Sequence, residues 1–287
     1  MDIGKYCFDG ERKLRLRDEP TADTGRFSSK EDAAPHFEEN LKTMVEQQGR
    51  LYASAEYALL IIFQAMDAAG KDSAVSHVMS GLNPQGTEVY SFKQPSAEEL
   101  RHDYLWRTSR CLPERGKIGI FNRSYYEEVL VVRVHNLIGG EHIPQKLTDH
   151  IWDKRYGQIV DFERYLTENG IIPVKFFLNI SKDEQKERLL ARLDDKSKNW
   201  KFSEADVKER RFWDDYQKAY EEAINRTATK QAPWYVIPSD KKWYSRLVIS
   251  EVIAKTFQSL GLEYPELGRD QQDLLESYKA LFEEEKR

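Results

Sequence analysis

The chain reads as an α/β protein with a parallel sheet sandwiched by helices. Two observations predict this. Short apolar runs at residues 58–63, 88–92, 118–121, 171–180 and 234–237 alternate with helix-like stretches at 97–111, 125–137, 147–168 and 182–193. Strands separated by helices in this way form parallel sheets covered on both faces. Second, the first run, Leu59-Leu60-Ile61-Ile62-Phe63, passes through small residues to Gly70-Lys71 and then into a helical pattern. A strand, a tight turn and a helix start in that order make a seat for phosphate.

Taken in order, residues 1–29 mix Gly, Pro, Asp and Arg without periodicity and are expected as an arm lying on a single domain of residues 30–287. Ser28-Ser29-Lys30-Glu31 marks a helix start, continuing as a polar helix to residue 48. Ser96 with Glu99 fits a capping box. Pro233 and Pro238 bracket the last short strand, which suits an edge or terminal position. Residues 194–203 are polar, basic and aromatic between two strong helices, and are expected to form a hinged lid around 190–212. A helix over 241–260 and a charged tail helix from Asp270 close the chain.

The composition narrows the function. The chain is 40% hydrophobic and 32% charged, with no apolar run near the ~20 residues of a membrane span. The first residues, Met1 to Tyr6, lack the apolar core of a signal peptide. Two separated cysteines, Cys7 and Cys111, argue against a disulfide framework or zinc site, so a cytoplasmic location is expected. A net charge of −5 argues against a broad nucleic-acid surface, and any polyanion site must be a local basic groove.

Three groups of residues are candidates for chemistry. The first is the turn Asp67-Ala68-Ala69-Gly70-Lys71-Asp72, a partial match to G-x-x-x-x-G-K-[ST] with Ala65 at the first glycine and Asp72 at the hydroxyl position. Its acids suit magnesium and would repel a bare phosphate. The second is Asn122-Arg123-Ser124-Tyr125-Tyr126-Glu127, following a strand that would end beside the Lys71 turn. Taken alone, Arg123 and Glu127 are best explained as an i,i+4 ion pair at a helix start. The third is the basic material of the lid and its flanks, mostly a solvated helix face, from which Arg188 and Lys201 stand out as charges that a closing lid would bring over Lys71. His102 is best explained as a surface or capping histidine. Trp213, Tyr216 and Tyr220 follow helical spacing and are expected to pack.

In this order the motifs resemble the polyphosphate kinase 2 family over roughly residues 30–262. The matching stretches are Gln64-Ala65-Met66-Asp67-Ala68-Ala69-Gly70-Lys71-Asp72, Gly81-Leu82-Asn83-Pro84-Gln85-Gly86, Asp103-Tyr104-Leu105-Trp106-Arg107, Ile120-Phe121-Asn122-Arg123-Ser124-Tyr125-Tyr126-Glu127, Lys175-Phe176-Phe177-Leu178, Asn199-Trp200-Lys201-Phe202 and Ala232-Pro233-Trp234-Tyr235-Val236-Ile237-Pro238. The resemblance implies a P-loop kinase-like fold with a helical lid, and magnesium- or manganese-dependent transfer of phosphoryl groups between inorganic polyphosphate and nucleotides. It implies that Asp67, Lys71, Asn122, Arg123 and Glu127 carry the chemistry, with Asp67, Asn122 and Glu127 serving the metal. Ala69, Gly70, Lys71, Asp72, Arg133, Arg188 and Lys201 would hold the phosphates. Asn122, where many members have aspartate, resembles the subgroup that phosphorylates both AMP and ADP, giving ADP and ATP. The resemblance also implies a homo-oligomer, dimer or tetramer. Two rivals stay open: an ATP-dependent nucleoside monophosphate kinase of the same fold, and a non-catalytic polyphosphate-binding regulator.

Overall fold

The computed structural model describes residues 1–140, 143–200 and 202–284, with the backbone alone at Glu141 and Lys201. The strands are β1 (Cys7–Phe8), β2 (Ala58–Ala65), β3 (Thr87–Ser91), β4 (Ile118–Asn122), β5 (Ile171–Asn179) and β6 (Trp234–Pro238). The helices are α1 (Lys30–Ser54), α2 (Lys71–Val78), α3 (Trp106–Ser109), α4 (Val131–Val134), α5 (Ile151–Glu168), α6 (Lys182–Asp194), α7 (Glu204–Glu209), α8 (Trp213–Thr227), α9 (Lys242–Ser259) and α10 (Arg269–Glu284). Among the described residues the strands form one sheet in the order β1-β6-β5-β2-β4-β3. All neighbours are parallel except the β1–β6 pair.

β2 lies at the middle because it has no polar face to offer water. All eight of its residues are buried, and Ala58 to Phe63 are fully so. Phe63 stacks on Phe176 of β5 with ring centroids 5.2 Å apart. Helices α1, α2 and α9 pack with one another, and α5 packs on β5 and α8, so helices sandwich the sheet. Burying each large side chain here is worth about 1.5–3 kcal/mol.

Local chemistry sets the element ends. Ser29 caps α1 by accepting from the Asp32 amide at 3.2 Å. Ser96 and Glu99 form the expected reciprocal box, at 3.2 and 2.7 Å. The long helix expected over 97–111 is nevertheless broken into a 3-10 turn at Glu99–Arg101 and the single turn of α3. Asp103 accepts the Leu105 amide at 3.0 Å, a local bond that competes with the helix. Likewise residues 125–137 divide into a 3-10 turn (Tyr125–Val129) and α4, with Leu130 off the helical conformation at the junction. The run Val129-Leu130-Val131-Val132 is rich in β-branched residues, which helices disfavour. Of the edge or terminal position that its prolines suit, β6 takes the second: it is the last strand of the chain but not the edge of the sheet. The two residues of β1 pair beyond it, Cys7 opposite Tyr235 and Phe8 opposite Trp234.

Residues 1–28 lie on the sheet end and α9. Tyr6, Phe8, Leu14, Leu16 and Phe27 are buried, and the Tyr6 hydroxyl meets that of Tyr244 at 2.7 Å and donates to Asp23 at 2.7 Å.

A buried ionic cluster underlies the turn that follows β4. Lys175 donates to Glu163 at 2.5 Å, to the Tyr126 hydroxyl at 3.1 Å and to the Thr227 carbonyl at 3.0 Å. Tyr125 and Tyr126 both donate to Glu163 at 2.8 Å. Every polar atom is thereby matched, the condition under which a buried pair is tolerated.

Candidate active site

From β2 the chain runs outward to β3, returns to β4 beside β2, and then crosses to β5 on the other side. The carboxyl ends of β2 and β4 therefore meet at a topological switch point, where open parallel sheets form their ligand crevice. Residues 66–70 make the turn from β2 to α2, with Ala68 at φ 60° and Gly70 at φ 105°. Glycine is suited to the second of these; any Cβ at position 70 would be strained. Ala68 holds a left-handed conformation at some cost, a form of strain that concentrates at ligand-binding turns.

Lys71 begins α2 and folds back under the turn. Its Nζ donates to the Ala65 carbonyl at 2.8 Å and approaches that of Met66 at 3.5 Å. The side chain is buried. Burial and the nearby Arg123 guanidinium push its pKa below the ordinary lysine value, against the pull of Asp67, Glu127 and Asp72. Arg123 follows β4 at φ 64°, its amide bonded to the Phe63 carbonyl at 3.0 Å. That turn aims its guanidinium at Asp67 (3.0 Å) and Glu127 (3.7 Å). Burial opposes the charge on Arg123, but Glu127 and Asp67 outweigh it and raise its pKa. Glu127 also accepts from Gln64 at 2.8 Å, and Asn122 donates to Asp72 at 2.5 Å. Asp67, Lys71, Asp72, Asn122, Arg123 and Glu127 thus form one group across the ends of two strands.

Arg188 reaches the same turn from α6. Its Nη1 donates to the carbonyls of Ala69 (2.6 Å) and Ala68 (3.3 Å). Its Nη2 donates to those of Ser239 (2.6 Å) and Asp240 (3.2 Å), and Nε to Glu184 (2.7 Å). All three of its nitrogens are engaged, so in this arrangement it braces the turn against the end of β6. Arg133 is engaged elsewhere, bonding the Tyr156 hydroxyl on α5 and Glu222 on α8, the latter at 2.7 Å. The Lys201 side chain lies outside the described residues. His102 stacks on Trp106 at 3.9 Å, on the exposed segment after β3. Trp213, Tyr216 and Tyr220 are buried, as their spacing predicts.

Helix α6 touches the turn through Gln185 and Arg188, and α7 follows it in the chain. Arg192 holds Asp206 of α7 at 2.6 Å. Burial and the charge of Asp67 push the Asp206 pKa up, while Arg192 and Arg123 draw it down, which sets α7 within electrostatic reach of the turn. Two buried glutamines belong to the site and were not singled out from sequence. Gln64 orients Glu127, and Gln185 donates to the Asp67 carbonyl at 2.9 Å. A glutamine inside an otherwise apolar strand was the available signal for the first.

Among the described residues no three His, Cys, Asp or Glu side chains gather as an all-protein metal cage. The carboxylate and amide oxygens of Asp67, Asp72, Asn122 and Glu127 are hard donors, however. Magnesium characteristically takes one or two carboxylates and completes its shell with water and substrate phosphates. The donor set fits a hard divalent cation of that kind.

Comparison with known proteins agrees with this geometry. A model of the family described as "Polyphosphate kinase 2 (PPK2)" matches residues 27–263. An "ADP-polyphosphate phosphotransferase" of Rhodopseudomonas palustris is 51% identical over 266 residues, covering 89% of this chain and 92% of its own. An "AMP/ADP-polyphosphate phosphotransferase" of Meiothermus ruber is 44% identical over 263 residues, covering 91% and 95%. The crystal structure of polyphosphate kinase 2 from Arthrobacter aurescens superposes with a TM-score of 0.85 at 38% identity, covering 95% of each chain. The chain belongs to the polyphosphate kinase 2 family.

Proposed function

We propose that this enzyme transfers phosphoryl groups from inorganic polyphosphate to AMP and ADP, reversibly, giving ADP and ATP. One observation carries the reading: the Lys71 ammonium and the Arg123 guanidinium converge at the ends of β2 and β4, in a turn held by Asp67 and Glu127. That is a seat for a phosphoryl group in transfer. Family membership supports polyphosphate as the partner substrate.

In the proposed reaction a terminal phosphate oxygen of the nucleotide attacks the terminal phosphorus of the chain in line. The new P–O bond forms as the bridging P–O bond breaks, and the electron pair leaves with the shortened polyphosphate. Such transfers need positioning and charge neutralisation more than covalent help. Lys71 grips the transferred group, with the backbone of Ala69 and Gly70 around it. Arg123 neutralises charge that develops on the equatorial oxygens, and Asp67 and Glu127 hold Arg123 in place. Magnesium or manganese, held by Asp67, Asn122 and Glu127, with Asp72 bonded to Asn122, supplies further charge neutralisation when bound. Arg133, Arg188 and Lys201 serve the phosphate chain, and α7 excludes water, so that transfer outruns hydrolysis. Arg188 does so by fixing the shape of the turn that it braces.

The acceptor range rests on Asn122. An amide in place of a carboxylate leaves the site less negative and eases entry of a monophosphate. The relatives named above differ on this point, one named for ADP and one for both nucleotides. A dimer or tetramer is supported by the apolar stripe of α10, where Leu274, Leu275, Tyr278, Leu281 and Phe282 are all exposed. Among the described residues no helix is long and apolar enough to cross a membrane. We place the enzyme in the cytoplasm.

The deciding assay mixes long-chain polyphosphate with AMP or ADP and magnesium, with no other donor. ADP from AMP and ATP from ADP are expected. Product from ADP alone removes the Asn122 argument. Turnover with ATP as the sole effective donor removes the polyphosphate reading.

A further inference from the structure

Three successive carbonyls of the Lys71 turn are bonded from one helix. Arg188 of α6 holds those of Ala68 and Ala69, and Gln185, on the same helix, holds that of Asp67 at 2.9 Å. The Asp67 bond bears on a strained position. Ala68 stands at φ 60°, a left-handed conformation that an L side chain rarely keeps without help. The peptide unit carrying the Asp67 carbonyl is the one that turns if Ala68 relaxes to negative φ. Released, that carbonyl is free to swing toward the phosphate seat, where its negative end repels an anion.

Gln185 is itself held from outside α6. It is buried, and its Oε1 accepts from Arg210 Nη1 at 2.7 Å, while the same nitrogen donates to the Lys182 carbonyl at 2.8 Å. An amide whose oxygen is taken by a guanidinium must present its NH2 to the other side, so Arg210 decides which end of Gln185 meets the turn. Arg210 opens the 3-10 turn that follows α7. The residue before it, Glu209, accepts from the Tyr216 hydroxyl of α8 at 2.7 Å and lies 2.9 Å from His135 Nε2. Two adjacent charged residues thus fasten the end of α7. One ties it to α8 and to the residue after α4; the other ties it to α6 and, through Gln185, to the turn.

We infer that Gln185 and Arg210 are positioning residues: Arg210 orients the Gln185 amide, which holds the Asp67–Ala68 peptide unit with its carbonyl turned from the phosphates. Both act through the backbone of the turn and need no contact with the transferred group. The turn then takes its anion-binding shape while the end of α7 is docked on α6, and loosens when that contact parts. This rests on the proposed use of the turn as a phosphate seat.

The test reads binding and turnover on the full chain. Tripolyphosphate affinity is measured by titration calorimetry with magnesium and without nucleotide, and kcat and KM for ADP with long-chain polyphosphate as donor. Gln185→Leu and Arg210→Met are each expected to raise the tripolyphosphate Kd about five- to tenfold, the worth of one hydrogen bond, and to lower kcat by a similar factor. KM for ADP is expected to stay within about twofold. Because the two residues act in series, the double variant is expected to match Gln185→Leu within about twofold. Ala68→Gly removes the penalty on the left-handed conformation and is expected to restore about threefold or more of the lost affinity in either background. Arg210 is half-buried, so Arg210→Met reads the relay even where Gln185→Leu fails to fold. Single effects that multiply in the double variant show Arg210 acting on the anion by itself and overturn the inference. So does a folded Gln185→Leu variant within about twofold of wild type in both readings, or no recovery from Ala68→Gly. Wild type that binds tripolyphosphate yet transfers only from ATP counts against the proposed donor and leaves the relay to be judged on binding.

Discussion

Replacing Glu163 by glutamine tests whether the buried ionic cluster supports the site. The Lys175 and Glu163 side chains are 0% and 2% exposed, and their charged atoms lie 2.5 Å apart. Glutamine keeps the shape, and its carbonyl still accepts from Tyr125 or Tyr126. What is lost is the negative charge opposite Lys175. Breaking one partner of a buried pair costs about 3–5 kcal/mol. The lysine limits that loss by shedding its proton, since burial already draws its pKa down against the pull of Glu163. For a chain of this size 1 kcal/mol corresponds to roughly 2 °C in Tm, so the full loss would be about 6–10 °C by circular dichroism and the observed fall is expected to be somewhat smaller. Adding Lys175→Met should return much of it, because a matched apolar pair replaces the orphaned charge. A fall below about 2 °C, or a double variant no more stable than the single one, would refute the reasoning. Tyr125 and Tyr126 belong to the turn that carries Glu127, so the single variant should also lose activity at temperatures where it remains folded.

Three further outcomes are expected. Lys71→Met removes the ammonium under the turn and should lower kcat by about 10²–10³, the usual cost of one transition-state charge contact, with circular dichroism unchanged; turnover within tenfold of wild type would displace Lys71 from its role. Asn122→Asp adds a negative charge beside Asp72 and should lower kcat/KM for AMP more than for ADP; an unchanged ratio removes the link between this residue and acceptor choice. Burial pushes the Asp23 pKa up, but Lys5, Tyr6 and the Gly25 amide pull it below its reference value of 3.8. Its stabilisation is therefore full above pH 3.8 and lost as pH falls through the depressed folded value. Asp23→Asn should lower Tm at pH 7 and lower it progressively less as the pH falls below 3.8, read by thermal melts across that range.

Much of the architecture was legible because the sheet is parallel and buried. Strands covered on both faces are continuous apolar runs, and the ends of β2, β4 and β5 fall within two residues of those runs. Helices with a capping serine and an amphipathic face, such as α1 and α6, were equally plain. What escaped was decided by single side-chain contacts. The breaks at Asp103 and Leu130 depend on local competition that a 3.6-residue period does not register. β1 is two residues long, too short for any pattern, and exists because β6 offers it a partner. In the site, the turn and the residues after β4 are contiguous in sequence and were visible. The brace by Arg188 joins three distant segments through backbone carbonyls, to which side-chain motifs are blind.

The position of β2 also fixes when the site can exist. Its residues pair with β4, Leu59 opposite Ile118, and with β5, Ala58 opposite Ile171. The turn that carries Lys71 is made early in synthesis, yet its flanking ladders wait for segments far downstream, and its brace for Ser239 and Asp240. A chain emerging from the ribosome therefore carries an unassembled phosphate turn until Asp240 has been translated. Contacts this distant in sequence are also slow to form. Nascent or truncated chains should accordingly leave polyphosphate alone, and the exposed apolar β2 segment is the stretch that chaperones would need to shield in the interval.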